Sequence, residues 1–408
     1  MKSSTVPSWI WPLLLILLSI GASLQSYWLP KGHFGNDPHE YTAYNNYVIF
    51  KRSFHHLLEQ KSLYRHYPLE HWDLYKYSPT FALVFGLLAK MPDWMGLVFW
   101  NLLNVLVWWQ GVRKWTGGLG GNSPPWFPLW MGLAALELLT SLQNEQSNAL
   151  VCGMLLWAWS LWEDRRPGAA IGLIMATGFI KIFGFGALLL GLLYPDKVRN
   201  TLKGLLWTVG LLALPLLVTD PTTYAFQGRE YLRMLGQDHS QSLGISAMGF
   251  LDKLHPGFWN KTWVLGISLV VTLIPWLRGS FRGTRNQQRA DLLTALMVWM
   301  VVFNHKAESP TYVIAVTPAL AWLLTRWNQP YAKILLVSAI VLTVLSPTDL
   351  FPVALRKSVV EPWHLKAVPC LLTWIAMQVT LYKEAFGGNP AKETEVPNTE
   401  QGSPEVTP

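Results

Sequence analysis

Apolar residues along the chain gather into thirteen runs, at 9–28, 79–90, 95–112, 125–142, 149–162, 167–180, 182–194, 203–218, 262–277, 290–303, 310–325, 332–345 and 366–382. Most approach the length of a membrane-crossing helix, and nearly all the charge lies in the loops between them, the arrangement expected where lipid replaces water around helices. The pattern predicts an all-α, polytopic membrane protein. Run 79–90 would extend only about 18 Å as a helix. We therefore read it as a half-span and count twelve crossings with both termini inside.

Orientation follows from the basic residues. Arg113/Lys114, Arg165/Arg166, Lys197/Arg199/Lys203, Arg278/Arg282/Arg285/Arg289 and Arg326/Lys333 form five groups that alternate onto one side, which the positive-inside rule makes cytoplasmic. Thirteen inner basic residues stand against four outer ones, Lys181, Lys306, Arg356 and Lys357. This leaves two long outer loops, 29–78 and 219–261, short outer turns at Gln143–Asn148 and Asn304–Ser309, and a last outer segment at about 346–365. All ten histidines fall in predicted outer segments. The membrane unit is residues 1–382, and 383–408, rich in Glu, Pro and Thr, reads as a disordered cytoplasmic tail.

Composition sharpens this reading. Hydrophobic residues make up 51% and charged ones 14%, with 23 tryptophans, a balance unlike that of soluble enzymes and suited to helices with aromatic belts. The net charge of +8 is carried by short loops, so it reads as topology, with no nucleic-acid partner. Cys152 and Cys370 both lie in apolar runs, leaving neither a disulfide framework nor a thiolate metal site. No phosphate-binding glycine loop, dinucleotide fingerprint or zinc motif occurs, so no cofactor or metal is expected.

Within the first outer loop Tyr47, Phe50, Phe54, Leu57 and Leu58 recur at helical spacing opposite Lys51, Arg52, His55, His56, Glu59 and Gln60. That pattern predicts an interfacial helix lying on the membrane. The aromatic stretch His71 to Pro79 leads back into the bilayer.

Several motifs in order resemble one family. Asp37, Tyr41 and Tyr44 follow the first span, then Ser62-Leu63-Tyr64, Tyr77-Ser78-Pro79, Trp100-Asn101-Leu102-Leu103-Asn104, the Gln143–Asn148 turn, Lys181, Gln241-Ser242-Leu243 and Ser309-Pro310. Over roughly residues 9–325 the chain resembles glycosyltransferase family 87, polyprenyl-phosphate-dependent enzymes of the GT-C type that include mannosyltransferases. The resemblance implies transfer of a hexose, mannose first among them, from a polyprenyl phosphate to a glycan or glycolipid hydroxyl at the outer face of a bacterial plasma membrane. Inversion is expected, with Asp37 as the base. A secondary transporter, or a polymerase or ligase of lipid-linked glycans, is the alternative.

Each candidate residue carries a plainer reading as well. Asp37-Pro38-His39-Glu40 matches a helix start, with Asp37 capping and Glu40 closing a capping box. Lys181 either snorkels to the interface or pairs with the carrier phosphate. Arg229 and Arg233, one helical turn apart, form a second phosphate clamp or are solvated charges. His305, Lys306 and Glu308 crowd one turn and are candidates for donor or acceptor binding, as are Glu40, Tyr41, Glu145, Gln146 and Gln241 for sugar hydroxyls.

Overall fold

The computed structural model describes residues 9–35, 37–118, 124–238, 243–282 and 284–387. Helices dominate: α1 (Ile10–Trp28), α2 (Asn45–Leu58), α3 (Pro79–Ala89), α4 (Asp93–Gly118), α5 (Phe127–Gln143), α6 (Asn148–Glu163) and α7 (Pro167–Ile180) lead to a 3-10 segment, Ile182–Leu193. There follow α8 (Lys197–Ala213), α9 (Pro221–Asp238), α10 (Ala247–Leu254), α11 (Lys261–Arg282), α12 (Asn286–Val302), α13 (Val313–Thr325), α14 (Pro330–Ser338), the short α15 (Val353–Leu355) and α16 (Ala367–Phe386). No strand occurs among the described residues, which hold one isolated bridge, Gly32 to Tyr41.

Four segments are long and apolar enough to cross a membrane by length and composition: Ile10–Trp28, Asp93–Gly117, Lys197–Leu217 and Lys261–Ser280. On α8 the exposed residues include Val198, Leu202, Leu205, Leu206 and Val209, a surface that water would penalise and lipid does not. The other expected crossings fall on shorter helices, except that at 366–382, which lies in the 20-residue α16. α6 has 16 residues, about 24 Å, and is buried along most of its length beside α4, α5, α7 and α13. The expected half-span at 79–90 is the 11-residue α3. Ser78 starts it, its Oγ accepting a hydrogen bond from the Phe81 amide at 3.2 Å, with Pro79 in the first helical position, where a missing N–H costs nothing.

α4 and α6 form the closest crossing. A Cβ on Gly111 would stand 2.1 Å from the Gly153 carbonyl oxygen, and one on Gly153 2.4 Å from that of Val107. Small residues here let the backbones meet, as in other bilayer helix pairs. Asn101 Nδ2 donates to Ser23 Oγ (3.0 Å) and the Leu142 carbonyl (3.1 Å), and Asn104 Oδ1 accepts from the Leu150 amide. The Trp100–Asn104 motif thus ties α1, α4, α5 and α6 together.

Two sequence expectations are corrected. The apolar face of α2 is covered by protein: Phe50 packs edge-on to Phe81, Phe85 and Trp100, so α3 and α4 occupy the side assigned to lipid. Helix α16 continues to Phe386, beyond the expected start of the tail at 383. Residues 388–408 lie outside the described residues.

Candidate functional site

The ends of three helices converge on one cavity. α6 starts after the Gln143–Ser147 turn, α7 ends at Ile180, and α12 ends at Val302 before the 304–309 turn, so Gln146, Lys181 and His305 reach the same end of the bundle. At the opposite end Arg289 of α12 pairs with Glu163 of α6 at 2.7 Å. Arg289 and the candidate residues thus stand at opposite ends of α6 and α12.

The cavity measures about 470 Å³. Its polar wall holds Asp73, Lys76, Gln146, Lys181, His305, Lys306 and Glu308, while Phe50, Ile182, Met234, Trp299 and Phe303 are among its apolar residues. Lys181 follows α7 in extended conformation, with its amide held by the Thr177 carbonyl at 2.7 Å. Its Nζ lies 3.4 Å from Gln146 Oε1 and 5.8 Å from the centre of the Tyr77 ring. Gln146 Nε2 donates to Glu308 Oε2 at 2.7 Å, and its Oε1 accepts from Asn148 Nδ2 at 2.8 Å. A relay of polar groups thus runs from the Lys181 ammonium to the Glu308 carboxylate. Glu308 also closes a capping box with Thr311, which fixes the backbone of its turn.

Five candidates from the sequence meet here: Gln146, Lys181, His305, Lys306 and Glu308. Four further residues were missed: Asn46, Asp73, Lys76 and Tyr77. The aromatic stretch from His71 to Pro79 held the last three, but without a periodic pattern that singles them out. Lys76 Nζ pairs with Asp73 Oδ2 at 3.0 Å.

The remaining candidates stand elsewhere. Arg229 is exposed, and Arg233, 71% exposed, faces Glu230 at 3.7 Å. Neither lines the cavity, although their α9 neighbours Met234 and Leu235 do. Glu145 is fully buried with φ +46°, its carboxylate oxygens make no hydrogen bond, and its carbonyl accepts from Trp100 Nε1 at 2.8 Å. Tyr41 is buried, its hydroxyl donating to the Pro68 carbonyl, and Glu40 faces His33 at 3.8 Å. Gln241 lies outside the described residues.

Asp37 does not cap a helix, since the next one begins at Asn45. Its Oδ1 instead accepts from the His39 amide and approaches His39 Nδ1, each at 2.9 Å. The His39 amide, then its imidazole, hold the Asp37 carboxyl below its ordinary value of 3.8. Asp37 is not among the residues lining the cavity. Its loop contacts the segment that supplies Asp73, since Phe34 stacks on the adjacent Trp72 with ring centres 5.3 Å apart.

A second, mainly apolar cavity of about 590 Å³ runs along α7, the 3-10 segment and α8, and shares Ile182 with the first. Residues of the kinds that ligate metals do not gather in threes among the described residues.

A helical bundle with four segments long and apolar enough to cross a membrane, and a cavity that holds three lysines, has the make-up of a membrane-embedded protein. The chain belongs to glycosyltransferase family 87, whose family model matches residues 75–348. Among solved structures it is similar to ArnT from Cupriavidus metallidurans, crystallised with undecaprenyl phosphate. The two are 13% identical with a TM-score of 0.38, over 93% of this chain and 78% of that one. No curated protein matches.

Proposed function

We propose that this transferase moves a hexose, with mannose as first candidate, from a polyprenyl phosphate to the hydroxyl of a glycan or glycolipid at the outer face of a bacterial plasma membrane. The observation that carries the reading is the first cavity, where Lys76, Lys181, Lys306 and His305 surround a space that borders an apolar one at Ile182. A lipid phosphate needs both halves: cations for its headgroup and an apolar channel for its chain.

In the step itself, the acceptor oxygen bonds to the anomeric carbon as the bond from that carbon to the phosphate oxygen breaks. The electron pair leaves on the phosphate, where the lysines stabilise it, and the hydroxyl proton passes to a carboxylate. Displacement from the opposite face inverts the anomeric centre. Asp37 is the base in this proposal, on the family resemblance, its ionised state and the packing of its loop beside Asp73. Glu308 is the second reading, because it lines the cavity itself. A free acid of either kind would leave the donor unattacked.

Purified chain incubated with radiolabelled polyprenyl-phosphate mannose, or the corresponding glucose donor, and a membrane glycolipid extract tests the reading. Label should move to a glycolipid with inverted anomeric configuration. A donor that crosses reconstituted vesicles unchanged, with no product, would make the chain a carrier instead.

A further inference from the structure

A third cavity, of about 550 Å³, adjoins the 304–309 turn, and Glu308 lines both it and the lysine-rich one. Its volume falls within the range of small-molecule sites, about 300–1,000 Å³. Asp252, Lys253, Ser309 and His364 supply its remaining polar side chains.

Backbone approach builds its wall. Gly244 adopts φ +53°, and a Cβ there would stand 2.6 Å from the His305 carbonyl oxygen and 2.9 Å from that of Ala307. The Ile245 amide donates to the Ala307 carbonyl at 2.8 Å, and Tyr312 Oη donates to the Ile245 carbonyl at 2.8 Å. A Cβ on Gly249 would meet the Gly244 carbonyl oxygen at 2.5 Å and the His364 ring at 3.0 Å. The segment preceding α10, the start of that helix and His364 are therefore clamped to the turn that carries His305, Lys306 and Glu308.

The two cavities differ in charge. Three lysines and a histidine face two carboxylates in the first. In the third, Asp252 and Glu308 stand with one lysine and one histidine. A balanced set of donors and acceptors suits an uncharged polyol, since carboxylates accept from hydroxyls while ammonium and imidazole groups donate to them. We propose that this third cavity binds the terminal sugar ring of the acceptor and that Glu308, standing between the cavities, hydrogen-bonds both substrates. The proposal rests on the transferase reading above and adds the acceptor's place and chemical class: a neutral, hydroxyl-rich ring carried by a lipid or glycan.

The test uses purified full-length chain and an octyl α-mannoside bearing a diazirine. Photolabelled peptides are mapped by mass spectrometry, with unlabelled octyl α-mannoside as competitor. Binding of a fluorescent polyprenyl phosphate is measured in parallel, and thermal unfolding checks that each variant is folded. Competed label is expected within 243–254 or 361–366. Asp252→Asn combined with His364→Gln should lower it about tenfold, the effect of losing one or two hydrogen bonds, while polyprenyl-phosphate affinity stays unchanged. Competed label elsewhere, no competed label, or label undiminished in the folded double variant would each overturn the proposal. Loss of polyprenyl-phosphate binding by the wild type with label still at 243–254 would instead remove the donor reading and leave the sugar site standing.

Discussion

Lys366→Met is the substitution whose effect the structure sets most tightly. Lys366 Nζ lies 2.9 and 3.1 Å from the two Glu137 oxygens and 2.8 Å from Ser309 Oγ. It also stands 5.1 Å from the centre of the Tyr312 ring. Both charged side chains are almost wholly buried, at 5% and 0% exposure. Methionine fills similar volume without charge, so the Glu137 carboxylate would be left buried and uncompensated, a loss of about 3–5 kcal/mol. Removing both charges, as in Lys366→Met with Glu137→Leu, should return most of that stability, because a buried ion pair gains little over apolar packing of the same volume. Turnover should not return in full with it, since Ser309 loses one of the bonds that hold the 304–309 turn. Denaturant unfolding in detergent, beside transferase turnover, measures both. A single variant within about 1 kcal/mol of wild type would instead show that the pair is solvated. A stable double variant with full turnover would refute the positioning role alone.

Lys181→Ala should raise the KM for the lipid donor about 10-fold to 100-fold, the worth of a charged hydrogen bond, and Lys181→Arg should recover part of it; an unchanged KM would return Lys181 to snorkelling. Gly153→Ala forces α4 and α6 apart, because its Cβ would meet the Val107 and Trp108 backbone at 2.4–2.5 Å, and should cost about 1–3 kcal/mol in detergent unfolding. Gly132→Ala, with no atom within 4 Å of its Cβ, should be neutral. His71 is buried in the first loop and burial pushes its imidazole down from 6.5 to about 4, so the unfolded chain binds the extra proton between those values. Stability should therefore rise with pH across that window and fall as pH drops from about 6.5 toward 4, by up to about 3 kcal/mol; a flat unfolding profile in wild type, matching His71→Phe, would show the ring to be solvated.

Helix positions were legible because apolar runs and turn residues are local signals. The runs at 9–28, 167–180 and 262–277 reappear as α1, α7 and α11. What local pattern cannot carry is the partner of an apolar face: the alternation in α2 fits lipid or protein equally, and only Phe81, Phe85 and Trp100, far along the chain, decide it. The site divides the same way. Lys181 and the 304–309 turn stood out because charge is costly between apolar helices. Asp73 and Lys76 sit in irregular backbone among aromatic residues, where nothing marks which side chain turns inward. Arg229 and Arg233 share a helix face, yet spacing did not reveal that the cavity takes Met234 and Leu235 from that helix.

A carboxylate of this chain is proposed as the base of glycosyl transfer, and single-turnover transfer from preloaded polyprenyl-phosphate mannose by Asp37→Asn is the decisive measurement. An asparagine oxygen can accept from the His39 amide as Asp37 Oδ1 does at 2.9 Å, so the loop should keep its form while the base is lost. Transfer about 10² to 10⁴ slower than wild type, with unchanged unfolding, is the result predicted. Transfer within about threefold of wild type would contradict Asp37 as base, and collapse in Glu308→Gln with binding of both substrates unchanged would assign the proton to Glu308.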